Sequence, residues 1–187
     1  MDEVAHPTGL QRVFIGIPVE PQTQQQVDQL LGPVRESSRG VRWVPAENRH
    51  LTLAFLGNQP MAVIRSVACA FDKAYGQLPH FQFCLTRLTR FPDSEGTIIA
   101  LTAEPDNHMD YLFQITLGLL RHNYLEIDRR RFRPHLTLGR TRRAEQITTI
   151  FDRSVNINLE INTIALFKSV LEPTGSIYST IKEARLL

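Results

Sequence analysis

The chain has 187 residues, of which 42% are hydrophobic, and its formal net charge at pH 7 is +2. This composition allows one sizeable core and excludes a protein that is basic throughout. No apolar run reaches the roughly 18 residues of a membrane span, and the first residues lack the pattern of a secretory signal. We therefore expect a cytoplasmic protein that has no membrane partner.

Hydrophobic periodicity and turn residues predict alternating strands and helices along the chain. Strands are predicted over 12–19, 41–45, 50–56, 81–91, 97–103, 134–140, 158–171 and 177–187. Helices are predicted over 21–37, 60–75 and 106–123, with a weakly helical segment over 144–151. This order predicts an α+β fold of two pseudo-symmetric lobes. No linker separates the lobes, so we expect residues 1–187 to form a single domain.

The two cysteines, Cys69 and Cys84, lie in apolar surroundings and do not have the spacing of a metal site. Unpaired cysteines of this kind are typical of a reducing compartment. We therefore expect both thiols to be buried and free.

One tetrapeptide, His-Leu-Thr-Leu, occurs twice in the chain, beginning at His50 and again at His135. Each copy lies in a predicted strand, where successive side chains point to opposite faces. The histidine and the threonine of each copy therefore share one face, and the leucines point into the core. Two such strands side by side would bring two imidazoles and two hydroxyls, those of Thr52 and Thr137, to one cleft.

This combination of groups suits catalysis at phosphorus. An imidazole with a pKa of about 6.5 can be neutral or protonated near pH 7, so a facing pair can supply a base and an acid together. One group would take a proton from an attacking water and the other would protonate the leaving oxygen. The threonines would donate hydrogen bonds to non-bridging phosphate oxygens. Alone, each histidine would more often be structural, and each threonine could reflect strand propensity only.

Metal binding and nucleophilic catalysis fit the sequence less well. The spacing His-x-Thr is not a zinc pattern, and no acidic residue or cysteine lies close to either motif. The remaining histidines are scattered and form no cluster: His6, His80, His108 and His122. No nucleophile-elbow signature is present. We therefore expect neither a metal nor a cofactor.

A cluster of arginines surrounds the second motif. Between residues 128 and 143 there are seven arginines and one acid, Asp128. The arginines are at 129, 130, 131, 133, 140, 142 and 143. A charge run is usually a solvated loop, but its position beside a candidate active strand favours a rim that attracts anions.

The paired HxTL motifs resemble those of the two-histidine (2H) phosphoesterase superfamily, and more closely those of the bacterial RNA 2′,3′-cyclic phosphodiesterases, long called 2′-5′ RNA ligases. The similarity extends over nearly the whole chain, and a doubled HxTL at this spacing is specific. The similar segments are 12–17, 43–57, 132–140 and 166–169, with Gly175 and Tyr178. The resemblance implies two lobes of antiparallel sheet with outer helices and an active-site cleft between them.

The resemblance also implies roles for individual residues. His50 would be the proton donor, His135 would accept a proton from water, and Arg140 would assist the site. Strict alternation places Arg140 on the face away from His135. A bulge or a strand exit at Gly139 would be needed to bring it to the cleft; otherwise Arg140 points to solvent.

The substrate that the resemblance implies is RNA with a 2′,3′-cyclic phosphate end, single-stranded or tRNA-like, with no obligatory protein partner. The ring would open to a 2′-phosphomonoester, and a reversible 2′-5′ RNA ligase activity could accompany hydrolysis. Single-stranded ends are often held by base stacking on aromatic rings. We expect Trp43, Phe132 and Arg133 to bind substrate, although ordinary core packing also explains both aromatic residues.

Two other functions remain open at this point. The first is a 2H phosphodiesterase that acts on a small nucleotide, such as a nicotinamide-nucleotide cyclic phosphate or a 2′-5′-linked oligonucleotide. The second is a module that binds RNA ends without turnover. Activity on mononucleotides alone would favour the first, and a single-turnover assay would identify the second.

Overall fold

The computed structural model describes residues 9–38, 40–125, 131–141, 152–173 and 175–187. The strands in these ranges are β1 (Leu10–Pro18), β2 (Arg42–Trp43), β3 (His50–Pro60), β4 (Phe81–Phe91), β5 (Ile98–Thr102), β6 (His135–Arg140), β7 (Arg153–Ile161), β8 (Thr163–Glu172) and β9 (Gly175–Arg185). The helices are α1 (Pro21–Ser37), α2 (Met61–Tyr75) and α3 (Asn107–His122), with a short 3₁₀ helix over Ala46–Asn48. None of the described helices has the length and apolar composition needed to cross a membrane.

The strands form one antiparallel sheet in the order β7-β4-β5-β6-β3-β1-β8-β9, and β2 pairs with β6. We call β7, β4, β5, β6 and β2 the first half-sheet, and β3, β1, β8 and β9 the second half-sheet. The two motif strands, β3 and β6, are the neighbours at which the halves meet. The predicted α+β fold with antiparallel sheet is therefore confirmed.

Side-chain alternation separates the core face of the sheet from its open face. In both motif strands the leucines are buried, whereas the histidines and threonines are only partly buried. The helices supply apolar side chains to the core, and those of α1 include Val27, Leu31 and Val34. The candidate catalytic side chains consequently lie on the face that the core does not use.

Helix α1 crosses between the halves. It follows β1 of the second half-sheet but packs against β7 of the first. The Thr23 hydroxyl donates to the Asn158 carbonyl over 2.8 Å, and Arg153 lies at the end of the same contact, with its guanidinium 3.4 Å from the Leu30 carbonyl. Helix α2 instead packs against β9. Helix α1 thus connects the two half-sheets.

Two predicted strand boundaries were wrong. The single strand predicted over 158–171 is two strands, β7 and β8, which break at Asn162 and pair in different half-sheets. No glycine or proline marks the break, and the asparagine at position 162 lies between two strand-like segments. The first motif strand does not end at Gly57, which has a φ of +71° and lies next to a register shift through which β3 continues to Pro60. The helical segment predicted over 144–151 lies outside the described residues.

The predicted burial of the cysteines was also wrong. Cys69 is exposed and Cys84 is partly buried, and both are free. Cys69 lies on the side of α2 opposite the buried Val67 and Phe71, and Cys84 alternates with the buried neighbours of β4. Its thiol lies 3.0 Å from the Asn156 side-chain oxygen. Apolar neighbours in sequence therefore did not imply a buried thiol, because periodicity places these two side chains outward.

Candidate active site between the two HxTL strands

The two motif strands pair through Leu51 and Leu136, and their polar side chains line one cavity of about 530 Å³. The cavity wall includes His50, Thr52, His135 and Thr137. The structure thus brings together the two imidazoles and two hydroxyls that alternation in the sequence predicts on one face.

Each histidine makes the same hydrogen bond. His50 Nδ1 lies 2.8 Å from the carbonyl oxygen of Asn48, and His135 Nδ1 lies 2.9 Å from that of Arg133. A carbonyl oxygen can only accept, so Nδ1 must carry the proton in both rings. In the neutral rings Nε2 is then the acceptor, and this atom is available to receive or return a proton.

Aromatic rings fix the orientation of both imidazoles. Phe14 packs on His50 with ring centroids 4.6 Å apart, and Tyr178 meets the same imidazole edge-on at 5.0 Å. His135 stacks on Phe91 with a centroid separation of 4.0 Å and an interplanar angle of 17°. These contacts limit rotation of the rings and surround them with apolar surface.

Burial lowers the pKa of both histidines. Desolvation lowers the pKa of His50 to about 4, and the charges of His135 and Arg140 act in the same direction, while its backbone hydrogen bond opposes them. Desolvation also lowers the pKa of His135, and the charges of Arg140 and Arg133 add to the effect. Both imidazoles are thus favoured in their neutral form when the cavity holds no anion.

Arg140 lines the cavity because β6 contains a bulge. Thr137 pairs with Ala100 and Gly139 pairs with Ile99, so Leu138 is an extra residue in β6. The bulge reverses the alternation beyond Leu138 and turns Arg140 to the face that carries the histidines. Gly139 also lies against Trp43, and a Cβ at this position would come within 3.0 Å of that ring.

The three residues expected to bind substrate lie in different surroundings. Phe132 lines the cavity and also stacks on Phe113, with centroids 4.2 Å apart and an interplanar angle of 8°. Arg133 lines the cavity and places its guanidinium 4.9 Å from the Phe91 ring. Trp43 does not line this cavity but borders a smaller neighbouring pocket.

Several aromatic residues of the site were not predicted as site residues from the sequence: Phe14, Phe55, Phe91 and Phe113. Tyr178, which also lines the cavity, was named only as part of the resemblance. The antiparallel register pairs Phe14 of β1 with Phe55 of β3. Strict alternation from His50 would place Phe55 on the leucine face, and the register shift at Leu53 brings it to the cavity wall. Phe91 comes from the end of β4, and nothing in the sequence connects it with His135.

The arginine cluster is described only in part. Arg129, Arg130, Arg142 and Arg143 lie outside the described residues. Arg131 lines the cavity and pairs with Glu104 over 2.7 Å, with both side chains largely exposed. Such an exposed pair contributes about 0–1 kcal/mol, so Arg131 remains available to an anionic ligand.

Within the described ranges, no three histidine, cysteine, aspartate or glutamate side chains converge as a metal site would require. The donors that do line the cavity are two imidazoles, hydroxyls and guanidinium groups. Hydroxyl and guanidinium donors of this kind suit an anion.

Comparisons with known proteins show which proteins this chain resembles. Residues 17–99 match the family described as LigT like Phosphoesterase, a range that includes the first motif and ends before the second. A Thermotoga maritima protein named RNA 2′,3′-cyclic phosphodiesterase is 26% identical over 179 residues, which covers 93% of this chain and 95% of the relative. A Methanocaldococcus jannaschii protein of the same name is 25% identical and covers 92% and 99%.

The fold of this chain is also similar to that of solved LigT structures. The crystal structure of E. coli LigT in its apo form has a TM-score of 0.76 to this chain at 23% identity and covers 96% of this chain and 99% of that one. A further structure of the E. coli protein is a complex with 3′-AMP. The predicted resemblance is therefore confirmed over nearly the whole chain, in sequence and in fold.

Proposed function

We propose that this relative of the LigT-like phosphoesterases, an enzyme of the phosphodiesterase class, hydrolyses RNA 2′,3′-cyclic phosphate ends to 2′-phosphomonoesters. The observation that carries the proposal is the pair of HxTL imidazoles in one cavity, each with Nδ1 held by a carbonyl. The names of the curated relatives support the choice of substrate.

The chemistry needs one acid and one base. A water molecule attacks the phosphorus while His135 Nε2 accepts its proton. The bond between phosphorus and the ribose 3′ oxygen breaks, and His50 Nε2 donates a proton to that oxygen. The product carries the phosphate on the 2′ oxygen. With the 5′ hydroxyl of a second RNA in place of water, the same step would form a 2′-5′ linkage.

The remaining polar groups would hold the phosphate. Thr52 and Thr137 would donate hydrogen bonds to its non-bridging oxygens, and Arg140 would add a charged donor. Their positions on the cavity wall support this role. No step requires a metal, so we expect turnover to survive an excess of chelator.

The lowered pKa of His50 bears on its role as the acid. At a pKa of about 4 the imidazole is neutral at pH 7 in the free protein, which suits a base. An anionic phosphate within about 4–6 Å favours the charged form and raises such a pKa by 1–3 units. We therefore infer that the substrate itself promotes protonation of His50, and that His50 acts as an acid only in the complex.

The direct test is phosphorus NMR on a short RNA that ends in a 2′,3′-cyclic phosphate. We expect the cyclic phosphate signal to be replaced by that of a 2′-phosphomonoester, and a variant with both histidines changed to alanine should leave the signal in place. In the same assay, turnover of cyclic mononucleotides but not of the RNA would identify a small-molecule phosphodiesterase instead. Binding of the RNA without any turnover would contradict the proposal and would leave a module that only binds RNA ends.

A further inference from the structure

A second, smaller pocket of about 230 Å³ adjoins the active-site cavity. Its wall combines β2, the end of β6 and the start of β9: Arg42, Trp43, Val44, Pro45, Asn48, Arg140, Gly175, Ser176, Ile177 and Tyr178. Four of these residues also line the active-site cavity, namely Val44, Asn48, Arg140 and Tyr178. The two pockets are therefore adjacent, and Arg140 lies at the boundary between them.

Two arginines face the second pocket from neighbouring strands. Arg42 of β2 and Arg140 of β6 are direct cross-strand partners, so their side chains leave the sheet on the same side. Like charges in this position destabilise a sheet unless something offsets them. None of the described residues that line the pocket is acidic, and no ion pair within the described ranges includes either guanidinium.

This arrangement is suited to an anion. Guanidinium groups bind phosphate oxygens through two parallel charged hydrogen bonds. A phosphate between Arg42 and Arg140 would remove the repulsion between them. The neighbouring surface of Trp43, Ile177 and Tyr178 is apolar or aromatic, which suits the sugar and base that accompany a phosphate in a nucleic acid.

The connectivity of the substrate indicates which phosphate this is. In an RNA 2′,3′-cyclic phosphate end, the 2′ and 3′ oxygens of the last ribose are both bound to the reacting phosphorus. The 5′ oxygen is therefore the only link to the rest of the chain, and it carries the next negative charge. We propose that the second pocket is a subsite for the phosphodiester on the 5′ side of the terminal nucleotide, with Arg42 as its specific ligand and Arg140 shared with the reacting phosphate.

The inference of this subsite rests on the proposed function. It narrows the range of substrates, because the subsite would favour polynucleotide ends over mononucleotides. The test uses three substrates: cytidine 2′,3′-cyclic phosphate, a dinucleotide that ends in the cyclic phosphate, and the same dinucleotide with a neutral methylphosphonate linkage. Wild-type kcat/KM should be about tenfold higher for the charged dinucleotide than for the neutral one, as loss of a charged hydrogen bond implies.

The variant Arg42→Gln should remove the preference for the charged linkage, so that the two dinucleotides react at similar kcat/KM. The matched control is Arg65→Gln, an exposed arginine on α2, which should retain the full preference. Calorimetry should show the same difference for binding of the dinucleotide product with a 2′-phosphate. Arg42→Gln should bind it more weakly than the wild type, and Arg65→Gln should bind it with the affinity of the wild type.

The outcomes separate the two proposals. Turnover of all three substrates without any preference for the charged linkage, or a preference that Arg42→Gln retains, would overturn the subsite and leave the proposed function intact. Absence of turnover on every cyclic phosphate would overturn the proposed function and the subsite with it.

Discussion

His50 and His135 make equivalent hydrogen bonds but lie in different surroundings. His50 is packed by Phe14 and Tyr178, whereas His135 has the Phe91 ring on one face and the Arg133 guanidinium beyond that ring. Identical tetrapeptides therefore place their imidazoles in different surroundings. An acid–base pair needs its two groups in opposite protonation states at the start of the reaction. Because burial favours neutral His50 in the free protein, the acid role proposed for His50 depends on the bound phosphate.

The roles of the two histidines can be separated by the leaving group. Replacing either with alanine should lower the rate on a cyclic ribose phosphate by about 10²–10⁴, the usual contribution of one general acid or base. An alkoxide needs a proton to leave, and a nitrophenolate does not. His50→Ala should therefore lose much less activity on a nitrophenyl phosphodiester, while His135→Ala should be impaired on both substrates.

The opposite pattern in these rate measurements would exchange the two roles. Small and equal losses on both substrates would show that neither imidazole transfers a proton, and the catalytic interpretation of the doubled motif would be wrong.

Protonation of His50 should depend on the bound anion. In the free protein we expect NMR titration of this imidazole to give a pKa of about 4, since desolvation penalises the charged form. Saturation with a nucleoside 2′-phosphate should raise that pKa by about 1–3 units. Only the protonated form donates, so kcat should fall as pH rises through the raised pKa. A pKa that does not change on binding would contradict acid catalysis by His50.

The sequence identifies the site at the level of single residues only where a pattern repeats. The doubled HxTL and the alternation of strands place His50, Thr52, His135 and Thr137 on one cleft. The sequence shows that Arg140 needs a bulge to reach the cleft, but it does not show whether the bulge forms. The bulge depends on the register of β6 with β5. The stacking of Phe91 on His135 depends on tertiary packing alone.

At the scale of elements, the 3₁₀ helix before β3 is held from both sides. It presents the Asn48 carbonyl that accepts from His50 Nδ1. On one side the Gln24 side chain of α1 donates to the Ala46 carbonyl over 2.8 Å, and on the other the Asn48 side chain donates to the Ser176 carbonyl of β9 over 2.8 Å. The tautomer and position of the His50 imidazole are thus determined in part by α1 and β9.

Arg49 completes this connection. Its side chain is 1% exposed and donates to Gln24 over 2.8 Å and to Asp28 over 2.6 Å. Asp28 is 47% exposed and also pairs with Arg35, so loss of Arg49 leaves no unpaired charge in the core. Arg49→Met should therefore melt within a few degrees of the wild type. It should nevertheless lower kcat about tenfold or more, because small displacements of a catalytic group are costly.

The matched control for Arg49 is Arg35→Met, which removes the other, exposed partner of Asp28 and should leave both quantities unchanged. If Arg49→Met keeps the wild-type kcat in steady-state assays, Arg49 contributes to packing and does not position His50.

The sequence predicts elements with strong periodicity, and it does not predict junctions that lack glycine and proline. The bounds of α1 and β4 agree with those that the sequence predicts, because polar and apolar positions alternate clearly within them. The break at Asn162 was missed because both β7 and β8 have strand-like sequences and no glycine or proline separates them, while their pairing partners differ. The paired residues of β4 and β7 are 65 to 80 positions apart, from Leu88 with Arg153 to Phe81 with Ile161, and pairing over that separation leaves no local signal.

At the scale of the whole molecule, the two half-sheets share their structural support. One continuous cluster of buried side chains includes Leu85 of β4 and Leu166 of β8. Helix α1 follows a strand of the second half-sheet and packs on the first. Neither half therefore has a complete core without the other, and we propose that residues 1–187 fold as one domain.

This proposal predicts a single unfolding transition in denaturant. Trp43, the one tryptophan, is part of the first half-sheet and reports on it by fluorescence. Leu166→Ala in the second half-sheet should cost about 2–5 kcal/mol, as for other buried leucines. It should move the fluorescence midpoint and the far-UV circular dichroism midpoint together. Leu171→Ala, at an exposed position of the same strand, should shift neither midpoint by more than about 0.5 kcal/mol. A Trp43 transition that stays in place while the dichroism midpoint falls would mean that the halves unfold independently.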